Sequence, residues 1–145
     1  FLKNAKKTLG KNSFLFVGVD LIKNVKILKK AYNDKGNFTA KFNLNLINII
    51  NKQFKINLKI KDFKYIATFN KKKSSMENFI VSKRHQTFFI NKNKFYFKKG
   101  EKIQTEISNK FTISKFSKLA KSSGWNVKKH WKDRKKYYAV FLLQA

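Results

Sequence analysis

At residue 63 the spacing of apolar side chains changes from helical to alternating, and that change limits the folds open to this chain. In NVKILKKAYND, residues 24 to 34, the apolar groups Val25, Leu28 and Tyr32 share one helical face. The following GNFTAKFNLNLINIINKQF predicts a second helix, capped by Thr39, with Phe42, Leu46, Ile49, Ile50 and Phe54 as its apolar face. FKINLKIKDF is ambiguous between a strand and a loop that joins helix to sheet. From 63 to 108 the period is two. FKYIATFN, MENFIVSKRHQTFFIN, NKFYFKKG and EKIQTEIS then read as antiparallel strands joined by the polar turns KKKSS, NKN and KKGEK.

The flanks have a different character. FLKNAKKTLGKN reads as the last turns of an amphipathic helix stopped at Gly10, which predicts that the sequence begins inside a domain. SFLFVGVDL is too short for a helix and rich in Phe and Val, the pattern of a buried strand in a parallel sheet. It ends on Asp20, where two readings compete: an acid at the carboxyl end of a strand, facing a ligand crevice, or a cap for the next helix or turn. After the alternating region, Thr112 is placed to cap TISKFSKLAKSS, which packs through Phe116, Leu119 and Ala120 and stops at Gly124. WNVKKHW and YYAVFLLQ, separated by KDRKK, close the chain as two strands. The order predicts an α/β domain at both ends, interrupted by an inserted lobe of helix and antiparallel sheet.

At 145 residues one domain is long enough to bury roughly 70% of its unfolded surface. The 35 Lys and Arg against 7 Asp and Glu give a formal net charge of +28, which suggests a phosphate-bearing partner. The residue types favour a solvated basic surface instead. Only Arg84 and Arg134 offer the planar fork used for bidentate phosphate and base contacts, and the lysines are spread evenly with a parallel excess of Asn, Ile and Phe. No Cys is present, which excludes disulfides, thiolate zinc sites and cysteine nucleophiles. His85 and His130 are far apart and show no metal-ligand spacing. The longest apolar runs fall well short of the roughly 20 residues of a membrane-spanning helix, so a cytoplasmic chain without a membrane partner is expected.

Against that basic background Glu106, in QTEISNKF, is conspicuous. If the segment is extended, Ser108 lies on the same face. By itself the pair is compatible with a solvated strand surface or with a polar site. No glycine-rich nucleotide loop, nucleophile elbow or metalloprotease motif occurs.

The segments FLFVGVDLIKNVKILKKAYNDKGNFTAKFNLNLINIIN, SMENFIVSKRHQT, GEKIQTEISNKF and GWNVKKHW, in that order, closely resemble the histidine-specific S-adenosylmethionine-dependent methyltransferases. Members of this family convert L-histidine to hercynine in ergothioneine synthesis. The resemblance covers essentially the whole chain and corresponds to the carboxyl-terminal half of such an enzyme. It implies half of a class I, Rossmann-like methyltransferase: residues 1–30 and 109–145 as a partial methyltransferase sheet domain, and 31–108 as the substrate-binding lobe. SFLFVGVDL would be its fifth strand and the last two strands its terminal hairpin.

The resemblance also implies residue roles. Tyr32, in AYND, would hold the amino-acid backbone of the substrate, although its phase with Val25 and Leu28 equally suits a core tyrosine. Glu106 and Ser108, in TEIS, would hydrogen-bond the substrate imidazole, a carboxylate and a hydroxyl matching the two ring nitrogens. Asn78 departs from the pattern, because the family commonly carries Met in the corresponding I-E-M-x-L stretch of the pocket. Met76 lies two residues earlier on the same strand face. The implied co-substrate is S-adenosyl-L-methionine, with its binding groups expected upstream of Phe1, so that this piece alone would be inactive. The implied partner is L-histidine, with neither a specific nucleic acid nor a catalytic metal, and a monomer is expected for the complete enzyme. The competing readings are a methyltransferase of another amino acid or amine, and a basic nucleic-acid-binding domain.

Overall fold

A computed structural model describes all 145 residues, which fold as two compact units: Phe1–Lys23 with Asn109–Ala145, and Asn24–Ser108. Both mix helices with antiparallel strands. No helix is long and apolar enough to cross a membrane.

In the first unit, helix α1 (Leu2–Leu9) stops at Gly10, whose φ of 77° lies in the left-handed region that favours glycine. Strand β1 (Phe14–Asp20), helix α4 (Ile113–Ser122), strand β7 (Asn126–Lys132) and strand β8 (Tyr138–Gln144) complete it. The sheet order is β1-β8-β7, with β8 antiparallel to both neighbours. The apolar alternation of β8 therefore points Ala139, Phe141 and Leu143 into the core, where they meet Val19, Phe116, Ala120 and Trp125. The Trp125 indole donates to the Leu2 carbonyl at 2.9 Å, which ties α1 to this core. Thr112 caps α4 by accepting from the Lys115 amide, and Gly124 follows the helix at φ 87°. Leu119, expected in the packed face, is exposed.

Strand β1 differs from its expected setting. It is an edge strand paired only with β8, antiparallel, and Phe14 and Phe16 are exposed. The apolar run is shared between a core-facing side, ending at Val19, and an open side. Asp20 neither caps a helix nor faces a cleft alone. It binds Lys110, whose side chain is fully buried, at 2.7 Å, and Lys23 at 2.5 Å. Burial by itself would raise the Asp20 carboxyl, but the hydrogen bonds and charges of Lys110 and Lys23 outweigh it and hold the group below the ordinary range.

In the second unit, α2 (Val25–Tyr32) is capped by the Asn24 side chain, and α3 (Phe38–Phe54) follows after a short turn. Strands β2 (Phe63–Asn70), β3 (Ser75–Ser82) and β6 (Lys102–Asn109) form one sheet in the order β2-β3-β6. Strands β4 (Gln86–Ile90) and β5 (Asn93–Phe97) form a separate two-stranded hairpin. MENFIVSKRHQTFFIN is thus not one strand but two, broken at Lys83–His85. The ambiguous segment before β2 is a loop ending in a short 3₁₀ turn, Ile60–Asp62. The Asn51 side chain clasps that loop, donating to the Leu58 carbonyl and accepting from the Leu58 amide, both at 2.8 Å.

Two expectations for α3 are revised. Thr39 lies inside the helix, and the first amides are instead capped by Asp34, which accepts from Phe38 at 2.7 Å and Thr39 at 3.0 Å. The buried face carries Asn43 and Ile47, with Leu44 and Leu46 beside them, whereas Phe42, Ile49 and Phe54 are exposed. Ile47, Leu58, Phe63 and Ile80 form the core of this unit.

Candidate functional site

Strand β3 is the buried middle strand of its sheet, and it carries a fully buried amide, Asn78. Burying an amide without partners costs free energy, so its surroundings must satisfy it. They do so from both neighbouring strands. Tyr65 on β2 donates its hydroxyl to Asn78 Oδ1 at 2.9 Å, and Asn78 Nδ2 donates to Glu106 Oε2 on β6 at 2.7 Å. Directly opposite Asn78 on β2 is Ala67, and Tyr65 is opposite Ile80. The small side chain at 67 leaves room for the tyrosine to reach diagonally across the same face.

The polar layer extends to α3. Thr105 Oγ1 donates to Asn43 Oδ1 at 2.5 Å, with the Asn78 carbonyl at 3.2 Å, while the Asn43 amide donates to the Thr39 carbonyl at 2.9 Å. Met76, on the same face of β3 as Asn78, is also fully buried.

Glu106 is exposed, not buried as a site for an imidazole would suggest; only one of its oxygens is tied to the interior through Asn78. Ser108, two residues further along β6, is half-buried. Tyr32 is the last residue of α2, half-buried at the edge of a cavity of about 320 Å³. Asp34, Ala40, Leu44, Phe63 and Tyr65 line the same cavity. A space of that size falls in the range of small-molecule sites. The structure thus brings Tyr32 and Tyr65 to one cavity and links Tyr65 through Asn78 to Glu106. Glu106, Ser108 and Asn78 do not line that cavity.

The electrostatics connect the same groups. The Tyr65 hydroxyl is pushed up to about 12, first by burial, then by the negative charge of Glu106, with Tyr32 and Asp34 contributing. Asp34 is held below the ordinary carboxylate range by the backbone amides of Thr39 and Phe38 that it caps. Elsewhere, the Tyr96 hydroxyl pairs with His85 Nδ1 in the β4–β5 hairpin, and no three His, Cys, Asp or Glu side chains cluster as a metal site.

The family model described as histidine-specific methyltransferase, SAM-dependent, matches residues 1–145. The chain belongs to this family. Among curated relatives, the histidine N-alpha-methyltransferase of Mycobacterium tuberculosis (strain CDC 1551 / Oshkosh) is 27% identical over 121 residues, covering 82% of this chain and 38% of the relative. The enzyme of the same name from Mycolicibacterium smegmatis (strain ATCC 700084 / mc(2)155) is 28% identical over 113 residues, or 77% and 35%. A protein named N-methyltransferase imqF from Aspergillus flavus is 26% identical over 132 residues, or 90% and 36%. The chain therefore spans little more than a third of the length of these relatives.

Within this family member, sequence reasoning missed Tyr65, Asp34 and the Asn43–Thr105 pair. A signal for Tyr65 was present: it shares the alternating face of Phe63 and Ala67, and its hydroxyl needs a partner. The partner's identity depended on strand register, which local periodicity does not give.

Proposed function

We propose that this chain supplies the substrate-binding portion of an S-adenosylmethionine-dependent N-methyltransferase acting on the α-amine of L-histidine, with hercynine as the product. The observation that carries the reading is Glu106, an acid in a strongly basic chain, tethered by a buried amide in the same unit as Tyr32 and Ser108. In this reading residues 31–108 are the substrate lobe, while 1–30 and 109–145 belong to a Rossmann-like sheet domain. Glu106 and Ser108 engage the imidazole, and Tyr32 holds the amino-acid end.

Each of three successive transfers forms a bond between the amine nitrogen and a methyl carbon as the bond from that carbon to the sulfonium breaks, and the amine loses one proton per methyl gained. S-Adenosylmethionine supplies the methyl group when bound. The protein's contribution is placement of the amine in line with that methyl, which requires no covalent nucleophile. The cavity lining in the first unit does not fit the co-substrate. The cavity of about 460 Å³ in the first unit is lined mainly by Leu2, Val17, Phe111, Phe116 and Leu119, with Lys3 at its edge and no carboxylate to receive the ribose hydroxyls or the ammonium group of the co-substrate. No step is assigned to this chain's residues through it.

Incubating the protein that carries this chain with S-adenosylmethionine and L-histidine, and following product mass, tests the reading. Trimethylated histidine is expected. Glu106→Ala should lower kcat/KM for L-histidine by about 10- to 100-fold, as for loss of a charge-assisted hydrogen bond. An unchanged preference for histidine contradicts the role of Glu106. A second reading, in which another amine is the substrate, is favoured by Asn78, a polar residue at the position where the family commonly carries Met. It predicts that a panel of amino acids contains a better substrate than histidine.

A further inference from the structure

We infer that Tyr65 is a positioning residue which, through Asn78, fixes the orientation of the Glu106 carboxylate and makes this part of the site a reader of N–H donors. The inference deepens the substrate reading above and rests on it.

The direction of the hydrogen bonds follows from donor and acceptor chemistry. A carboxylate only accepts, so the Asn78 atom 2.7 Å from Glu106 Oε2 is the amide nitrogen. The atom facing Tyr65 is then the amide oxygen, which also only accepts, so the hydroxyl is the donor of the 2.9 Å bond. The order Tyr65 to Asn78 to Glu106 has no alternative orientation. Tyr65 thereby commits its only proton, and its oxygen can only accept from a further partner. The carboxylate, held by Oε2, likewise presents Oε1 as an acceptor. With the hydroxyl pushed up to about 12, its proton is retained through the neutral range.

The chemical class that satisfies such acceptors is a planar side chain bearing ring or amide N–H groups. A ligand side chain of the same size without N–H would shield these acceptors from water and leave them unpaired, and sites built around polar groups discriminate strongly on that basis. An apolar residue at position 78 would fill the space but release both Tyr65 and Glu106. The amide is thus part of how the site reads its ligand, beyond being a tolerated change in packing.

The test is a double-mutant cycle of Tyr65→Phe and Asn78→Leu in the protein that carries this chain, reading the ratio of kcat/KM for L-histidine over L-phenylalanine. Tyr65→Phe keeps the ring and is expected to lower the ratio by about 3- to 10-fold, through KM, as for one hydrogen bond. Asn78→Leu should lower it at least as much, and the double variant no further than Asn78→Leu alone. A thermal melt of each variant separates folding losses from recognition. If Tyr65→Phe leaves the ratio unchanged, or the two effects add, the inference falls while the substrate reading stands. If the unsubstituted protein shows no preference for histidine, both fall.

Discussion

The two units each hold an acid against buried polar groups, and they do so in opposite ways. In the first, Asp20 is neutralised on the spot by Lys110 and Lys23, with the Lys110 side chain fully enclosed. The cluster contains its own counter-charges. In the second, Glu106 is anchored by a neutral amide and stays exposed. Nothing in the Tyr65–Asn78 relay cancels its charge. A closed ion pair holds a fold together, whereas a carboxylate fixed by a neutral relay keeps its charge for a ligand. The comparison teaches that the charge of the acid's buried partner, cationic in one unit and neutral in the other, separates the two arrangements.

The largest expected effect tests the closed cluster. Asp20→Ala removes the counter-charge of the buried Lys110 ammonium, and breaking a buried ion pair costs about 3 kcal/mol or more. Denaturant unfolding should show it, and a change below about 1 kcal/mol would mean that Lys110 does not depend on Asp20. Acid titration comes next. The folded-state value of Asp20 is depressed, so its stabilisation is present above the unfolded value, near 3.8, and is lost as pH falls through the folded value. The unsubstituted protein should therefore lose stability below pH 3.8 more steeply than Asp20→Asn, and parallel curves would remove the pair from the acid response. The smallest effect belongs to the open acid. Glu106→Ala leaves the buried Asn78 amide without its acceptor and should lower unfolding free energy by about 1 kcal/mol, well short of the Asp20→Ala loss. A loss as large as that of Asp20→Ala would break the contrast, making Glu106 structural as well.

Local signals made most elements legible. Gly10, Thr112 and Gly124 marked helix ends, and alternation marked β2, β6, β7 and β8, because these features act over a few residues. The face of α3 was hidden by its composition. Apolar side chains recur nearly all round the helix, from Phe42 to Phe54, and Asn43 occupies a core position that hydropathy assigns to solvent. Its burial depends on Thr105, 62 positions away in sequence. The division of the alternating region into a three-stranded sheet and a hairpin was hidden for the same reason, since pairing is not local. Resemblance singled out Glu106, Ser108, Tyr32 and Asn78 together, but the link between Asn78 and Glu106 required β3 to be placed between β2 and β6.

The register that sets Ala67 opposite Asn78 also bears on folding fidelity. Slipping β2 by one residue against β3 would bring Ile66 or Thr68 beside Asn78 and turn Tyr65 to the other face. The misaligned sheet would crowd the amide with a branched side chain and leave it without its tyrosine, a penalty of about 1–3 kcal/mol for the unsatisfied group. Ala67, Tyr65 and Asn78 thus also proofread the strand alignment, and a chain that pairs these strands wrongly forfeits both stability and the arrangement on which the proposed recognition rests.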